Sequence, residues 1–160
     1  MNFFSLFRKE QAASFISTPS SPSDVEENNN ITLQWTYTLG GTPLDEVLVI
    51  FNPDSPSLSL KRVARYRSGG TLQVPDDVQD RFFFSLTDSQ STMTIIRSQR
   101  LDSGTYELTV SPDDVNLDPI RDQVKILVKC KWNLFLSDFH SETCCFINRW
   151  WLGDLVRAYS

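Results

Sequence analysis

The chain has 160 residues, of which 40% are hydrophobic and 22% are charged. This length suits one domain, and the apolar fraction is sufficient to bury a core, so the composition argues against a chain that is disordered throughout. The formal net charge of -5 argues against a nucleic-acid-binding role, because phosphates require a basic surface. No apolar run approaches the roughly 20 residues of a membrane-spanning helix.

Short β-prone segments separated by turn signals follow one another along the chain from Val25 onward. Residues 31–37 and 105–110 alternate between apolar and polar, which is typical of strands that bury one face. Residues 46–51 form a continuous apolar run that suits a strand buried on both faces. The other segments with strand character are residues 58–66, 81–86, 92–96 and 123–128. About eight strands and no amphipathic stretch long enough for a core helix predict an all-β sandwich.

The three cysteines and the single histidine lie near the carboxyl end of the chain. Because these cysteines are Cys130, Cys144 and Cys145, whatever folds before them does so without a disulfide framework. Their spacing to His140 matches no zinc-binding pattern, and the residues around His140 contain no nucleophile elbow. We therefore expect no metal, no cofactor and no catalytic centre.

Residues 102–106 carry the motif Asp-Ser-Gly-Thr-Tyr. It resembles the Asp-x-Gly-x-Tyr-x-Cys signature of variable-type immunoglobulin domains, in which the tyrosine hydroxyl bonds back to the backbone near the start of strand F. The resemblance implies an immunoglobulin-like Greek-key β-sandwich of two antiparallel sheets over residues 14–129, with Tyr106 in the place of that tyrosine. It also implies a structural salt bridge between Asp102 and Arg81, because the family has an arginine at a similar place, at the start of strand D, that pairs with the aspartate of this motif.

Both core cysteines of that family are replaced in this chain. Trp35 stands where the first would fall and Leu108 where the second would fall, so we expect no intersheet disulfide. The tryptophan of the family's strand C is also missing. We expect Trp35 and Leu108, together with Leu33 and Tyr106, to fill the core in place of the disulfide and that indole. A cysteine-free domain with Leu-x-Trp-x-Tyr in this strand is similar to domains of invertebrate cell-surface proteins, notably those of cnidarians.

Two groups of side chains have both a structural and a functional interpretation. A basic cluster consists of Lys61, Arg62, Arg65 and Arg67. It either deters edge-to-edge aggregation or forms a ligand-binding patch. Residues 82–84 are all phenylalanine, and strand alternation must expose at least one ring, either as a partner surface or beneath a loop.

The two ends of the chain differ in composition from the segment between them. Residues 1–13 place apolar residues before the positive charges, the reverse of a secretory signal, so we interpret them as a disordered leader. Residues 130–160 hold every cysteine and three of the four tryptophans. We interpret this tail either as a membrane-associating or partner-binding segment or as a gene-model artefact such as translated intron. Sequencing the transcript across the codon of Lys129 decides between them.

The resemblance and the lack of a catalytic constellation predict a non-catalytic protein-recognition module of a cell-surface adhesion or immune-type receptor. Its partner would be another protein, a second copy included, bound through a sheet face or loops. We expect neither nucleic acid nor a small-molecule substrate as a partner. The alternative is a structural spacer domain with no ligand of its own in a longer ectodomain. Asn30 opens an N-glycosylation triplet and is a candidate glycan site if the parent protein is extracellular, as the resemblance implies.

Overall fold

The computed structural model describes residues 12–21, 23–55 and 57–130. Within these ranges the chain forms nine β-strands and one short 3-10 helix, Arg100–Asp102. The strands are β1 Ser14–Ser17, β2 Ser23–Glu26, β3 Ile31–Thr38, β4 Leu44–Pro53, β5 Lys61–Arg67, β6 Phe82–Leu86, β7 Gln90–Ile95, β8 Gly104–Pro112 and β9 Ile120–Lys129. No helix in the described part of the chain is long and apolar enough to cross a membrane.

The strand count differs slightly from the expectation. Seven strands begin at or after Ile31, one fewer than the count of about eight, and two short strands precede them. The proposals for residues 1–11 and 131–160, which include His140, Cys144 and Cys145, lie outside the described residues.

The strands form two sheets that pack face to face. The four-stranded sheet, called the back sheet below, has the order β1-β3-β7-β6, and the five-stranded front sheet has the order β2-β9-β8-β4-β5. The predicted all-β sandwich is confirmed, and no disulfide occurs among the described residues. One pair departs from the predicted antiparallel arrangement, because β2 runs parallel to β9 with Val25 opposite Val128. β1 belongs to the back sheet, whereas β2, the next strand along the chain, belongs to the front sheet.

Alternation along the strands places the core between the two sheets. On β3 the side chains of Ile31, Leu33, Trp35 and Tyr37 are buried, with Trp35 fully buried. On β8 the same period buries Tyr106, Leu108 and Val110.

The apolar run in β4 does not follow the expectation of burial on both faces. Val47, Val49 and Phe51 point into the core and are buried, whereas Leu48 and Ile50 point outward and are half-buried. No second layer covers the outer face of the front sheet within the described residues, because the only other sheet lies on its inner side. Alternate side chains of this run therefore belong to the core and to the outer face of the front sheet.

Candidate protein-interaction surfaces

Arg81, Asp102 and Tyr106 meet at one corner of the sandwich. The guanidinium of Arg81 donates from Nη1 to Asp102 Oδ2 at 2.7 Å and from Nη2 to Asp102 Oδ1 at 2.9 Å. Asp102 is buried, and its Oδ2 also accepts the backbone N–H of Gln99 at 2.8 Å. The bond to Asp102 raises the pKa of Arg81. Because both carboxylate oxygens are occupied, this pair closes the corner rather than presenting a charge to a ligand.

Tyr106 bonds within the same corner. Its hydroxyl donates to the backbone carbonyl of Asp102 at 3.0 Å, and burial raises the pKa of the phenol. Its ring stacks on Phe51 of β4, with the centroids 4.5 Å apart. Gly104 lies beside this stack with φ at 155°, and a Cβ there would come within 2.4 Å of the Asn52 carbonyl oxygen. The glycine of the motif therefore allows β4 and β8 to approach each other closely.

Trp35 links the two sheets through a hydrogen bond. Its Nε1–H, on β3 of the back sheet, donates to Asp122 Oδ2 at 2.7 Å, on β9 of the front sheet. Leu108 is fully buried and lies directly opposite Asp122 in the β8–β9 register. Leu33 and Tyr106 belong to the same core cluster. A polar bond between the sheets thus lies beside the positions where the family would place its disulfide.

Sequence reasoning missed Asp122 as the acceptor of this bond. The signal is present in β9, where Asp122 takes the same inward phase as the buried Val124, Ile126 and Val128. A carboxylate in a run of inward apolar positions indicates a buried donor opposite it.

The outer face of the front sheet has an apolar centre. Leu48 and Ile50 lie there on β4, which is flanked by β5 on one side and β8 on the other. Leu48 is opposite Arg65 and Thr109, and Ile50 is opposite Arg62 and Glu107. Two aliphatic side chains are therefore surrounded by long polar ones.

Ion pairs and polar bonds surround this centre. Glu46 accepts from Arg65 Nε at Oε1 and, at 3.0 Å, from Arg65 Nη2 at Oε2, and Arg67 Nε lies 3.7 Å from the same Oε2. The bond from Arg65 lowers the pKa of Glu46. On β8, Glu107 accepts Gln123 Nε2 at 2.6 Å. The polar rim is thus held largely by its own pairs.

The basic cluster is divided between this rim and the edge of the front sheet. All four of its residues lie on β5, the outermost strand. Lys61 pairs with Asp77 at 3.1 Å, and Arg65 pairs with Glu46. Gln73 covers part of the edge, because it exchanges backbone hydrogen bonds of 2.9 and 2.8 Å with Arg65. The position is that of an edge strand with charges along it.

The back sheet has a different surface. None of its strands, β1, β3, β6 and β7, contains a charged residue. Its outward side chains on β3 and β7 are threonine and glutamine, with Gln34 opposite Thr92. On β6, Phe82 is buried, Phe84 is half-buried and Phe83 is 53% exposed, which confirms that the aromatic run exposes a ring.

Asn30 is exposed at the entry to β3. Its Oδ1 accepts the backbone N–H of Arg97 at 3.1 Å. This bond uses the amide oxygen and not the nitrogen at which a glycan is attached. Thr32, the third residue of the triplet, is also exposed.

The residues that could bind a metal show no suitable grouping in the described part of the chain. No set of three or more His, Cys, Asp or Glu side chains converges there. Cys130 directly follows β9, and the other two cysteines and His140 lie outside the described residues.

Comparison with known proteins identifies solved structures that share this fold. No protein-family model matches the chain, and no curated protein matches it. One similar chain belongs to a solved structure that describes T cell specificity and activation by the bacterial superantigen toxic shock syndrome toxin-1. It is 17% identical, with a TM-score of 0.59 over 73% of this chain and 99% of that chain. The structure of murine CRIg is 15% identical, with a TM-score of 0.58 over 76% of this chain and 100% of that chain. The fold is an immunoglobulin-like β-sandwich. At these identities the similarity establishes the fold alone.

Proposed function

We propose that this chain is a non-catalytic recognition domain that binds another protein through the outer face of the front sheet. The observation that carries the proposal is the apolar centre formed by Leu48 and Ile50 inside a polar rim. Protein interfaces have this anatomy, with an apolar core that loses water and a rim of polar groups that remains hydrated.

The rim suits recognition because it contains both signs of charge. Glu46 on β4 pairs with Arg65 on β5, and Ile50 lies between Glu107 on β8 and Arg62 on β5. Such a pattern rejects a partner that brings like charges together, so the rim provides specificity while the apolar centre provides affinity. Arginine is also enriched at the residues that dominate binding energy.

We further propose that the domain is of the variable type. Variable-type domains extend the front sheet beyond the strands of the constant type. In support, β5 adds a strand beside β4, and Gln73 forms a further backbone bridge to β5. The Asp102–Tyr106 corner is consistent with the same type.

We place the parent protein outside the cell, as an adhesion or immune-type receptor. The exposed Asn30 triplet supports this, because N-glycans are added in the secretory pathway. The similarity to a chain from a structure about T cell specificity supports a role in recognition.

Binding by the front sheet is tested with charge substitutions on its apolar centre. The full chain, multimerised to raise avidity, is used to stain cells that display individual extracellular proteins of the same organism. Ile50→Lys and Leu48→Lys should each reduce the staining by at least about tenfold, because a charge at the centre of an interface is buried without a partner. Gln34→Lys is the matched control, since it adds the same charge to the back sheet.

Thermal unfolding of every variant verifies that the fold is intact. Equal losses from Ile50→Lys and Gln34→Lys would contradict a front-sheet site. A chain that stains none of the displayed proteins would favour the spacer alternative, whereas staining that no face variant alters would place the binding site on the loops.

A further inference from the structure

β6 is the outermost strand of the back sheet and has a neighbouring strand on one side only. At its two ends, the N–H of Ile96 donates to the carbonyl of Arg81 at 2.9 Å, and the N–H of Thr87 donates to the carbonyl of Gln90 at 2.9 Å. In an antiparallel pair the direction of the backbone groups alternates from residue to residue. Residues 81, 83, 85 and 87 therefore bond to β7, and the backbone groups of residues 82, 84 and 86 point to the open side.

Phe84 and Leu86 each leave both of their backbone groups available for pairing. The N–H of Phe82 donates to the carbonyl of Val78 at 3.0 Å, so it is already used. The N–H and C=O groups of Phe84 and Leu86 have no backbone partner in the described ranges. A row of unpaired groups on an edge strand is a template for another strand.

The other three sheet edges carry features that deter pairing. β5 has the basic cluster and the bridge to Gln73. β1 has an irregular register between Phe15 and Ser17, and β2 is only four residues long and carries two carboxylates. β6 has no charge, no proline and no register shift. Natural sheets protect edges by such features, so β6 is the edge left open to pairing.

The groove beside β6 is lined by uncharged side chains, several of them apolar. Phe83 is 53% exposed and Leu72 is 39% exposed. This open groove of about 620 Å³ is lined by β6 and by residues 72–74. Phe84 and Leu86 are half-buried against the core. A further strand paired beside β6 would bury them more deeply.

We propose that the occupant of this edge is a second copy of the same chain, paired antiparallel through β6 with the two-fold axis at Ser85. This register places Phe84 of each copy opposite Leu86 of the other. Each of these two pairs exchanges an N–H and a C=O in both directions, so the four available groups of each copy form four intermolecular hydrogen bonds. The two back sheets become one continuous sheet, and the symmetry closes the assembly at two copies.

The uncharged back-sheet strands permit a second copy to approach, and the charges beside β6 select this register. The chain has a net charge of -5, so two copies repel unless they meet where charges are absent, and the back-sheet strands are such a region. An axis at Phe84 would bring Asp80 near Asp88 of the other copy and would require the Phe82 N–H that Val78 already occupies. With the axis at Ser85, Asp88 instead lies beside Phe82 of the other copy and one residue from its Arg81.

The experiment measures the association of the full chain by sedimentation across a concentration series that reaches its solubility limit. A reductant is present throughout, so that disulfides through the cysteines cannot contribute. We expect a dimer that dissociates on dilution, because an edge contact buries less than the roughly 1,600 Å² of a standard interface.

Ser85 is the position that tests the register. Its side chain is exposed and would lie opposite Ser85 of the second copy across the two-fold axis. Ser85→Lys and Ser85→Glu should each raise the dissociation constant at least about tenfold, because like charges then face each other. An equimolar mixture of the two variants should associate again, since Lys then faces Glu.

Gln34→Lys is the control on the same sheet, and it should leave the association unchanged because Gln34 lies on β3, away from the edge. A chain that stays monomeric at its solubility limit would overturn the proposal. So would a Ser85→Lys variant that dimerises like the wild type, or a Gln34→Lys variant that alone is monomeric, which would indicate stacking of the two back-sheet faces. The inference does not depend on the proposed front-sheet function, and Ile50→Lys should leave the dimer intact.

Discussion

At the scale of single residues, the bond from Trp35 to Asp122 is the feature that most distinguishes this core. Removing a native disulfide from a small domain costs about 2–5 kcal/mol, and this sandwich has none between its sheets. Deleting a large aromatic side chain from a core costs about 3–5 kcal/mol, which is a comparable amount. The indole therefore contributes apolar burial where the disulfide would lie, and its N–H adds a bond between the sheets.

Substitutions at Trp35 separate the contribution of the ring from that of the bond. Trp35→Phe retains an aromatic ring but leaves Asp122 without its donor, so we expect a loss of about 1–3 kcal/mol in the free energy of unfolding. Trp35→Ala also removes the ring, and its loss should reach or exceed about 3–5 kcal/mol. Asp122→Asn keeps an acceptor oxygen and should cost less than Asp122→Ala. Denaturant titration at neutral pH measures all four variants.

Gln34→Ala is the matched control, because Gln34 is the exposed neighbour of Trp35 on β3. Its effect should stay within about 0.5 kcal/mol. Equal stability of Trp35→Phe and the wild type would contradict a contribution from the hydrogen bond. Burial of the ring would then be the only contribution of Trp35.

Trp35, Leu108 and Asp122 show which parts of the core can be predicted from the sequence. Alternation places Trp35 and Leu108 on the inward face, because a period of two is visible in the residues themselves. Asp122 was not predicted, since the expected strand began at residue 123 and the aspartates and prolines before it are typical of a loop. The strand begins at Ile120, where pairing with Val110 of β8 extends it. That pairing is a tertiary contact, so local propensity does not report it.

At the scale of elements, the pairing of β4 with β5 includes an ion pair between Glu46 of β4 and Arg65 of the basic cluster. The basic residues indicated an edge strand, and β5 is one, but the strand begins at Lys61 rather than at residue 58. Leu58 instead closes a turn in which its N–H donates to the carbonyl of Ser55 at 3.1 Å. The role of Glu46 was hidden because it lies on the neighbouring strand, within the run interpreted as apolar.

The pairing of Glu46 predicts a dependence of stability on pH. Arg65 lowers the pKa of Glu46 in the folded state, so the stabilisation is fully present above the unfolded pKa of about 4.3. It is lost as the pH falls through the lowered folded-state pKa. Glu46→Gln should therefore lower Tm at pH 7, and its difference from the wild type should shrink as the pH falls below about 4.

Glu26→Gln provides the control, because Glu26 is an exposed carboxylate on β2 of the same sheet. Thermal unfolding of the three proteins between neutral and acidic pH makes the comparison. A difference between Glu46→Gln and the wild type that stays constant down to acidic pH would show that the charge of Glu46 plays no part.

At the scale of the whole molecule, the two sheets differ in chemistry. Among the nine described strands, every charged residue lies on the front sheet, and the strands of the back sheet carry no charge. A dimer through β6 has its axis perpendicular to the back sheet, so both front sheets face the same side. Two proposed binding faces directed the same way would bind a clustered partner with avidity.

The sequence predicts the sandwich from its alternation and turns, but the separation of charge between the two sheets appears only once each strand is assigned to a sheet.

Stability without a disulfide is a property of the whole sandwich. Because β1 begins at Ser14 and β9 ends at Lys129, all nine strands in the described ranges lie before the first cysteine. The unfolding temperature of the sandwich should therefore be the same with and without a reductant, whereas loss of a native disulfide would remove about 2–5 kcal/mol. Cys130→Ser is the control, because Cys130 is the thiol nearest to β9. A reductant that lowers Tm in the wild type but not in Cys130→Ser would show that a disulfide through the end of the last strand stabilises the fold after all.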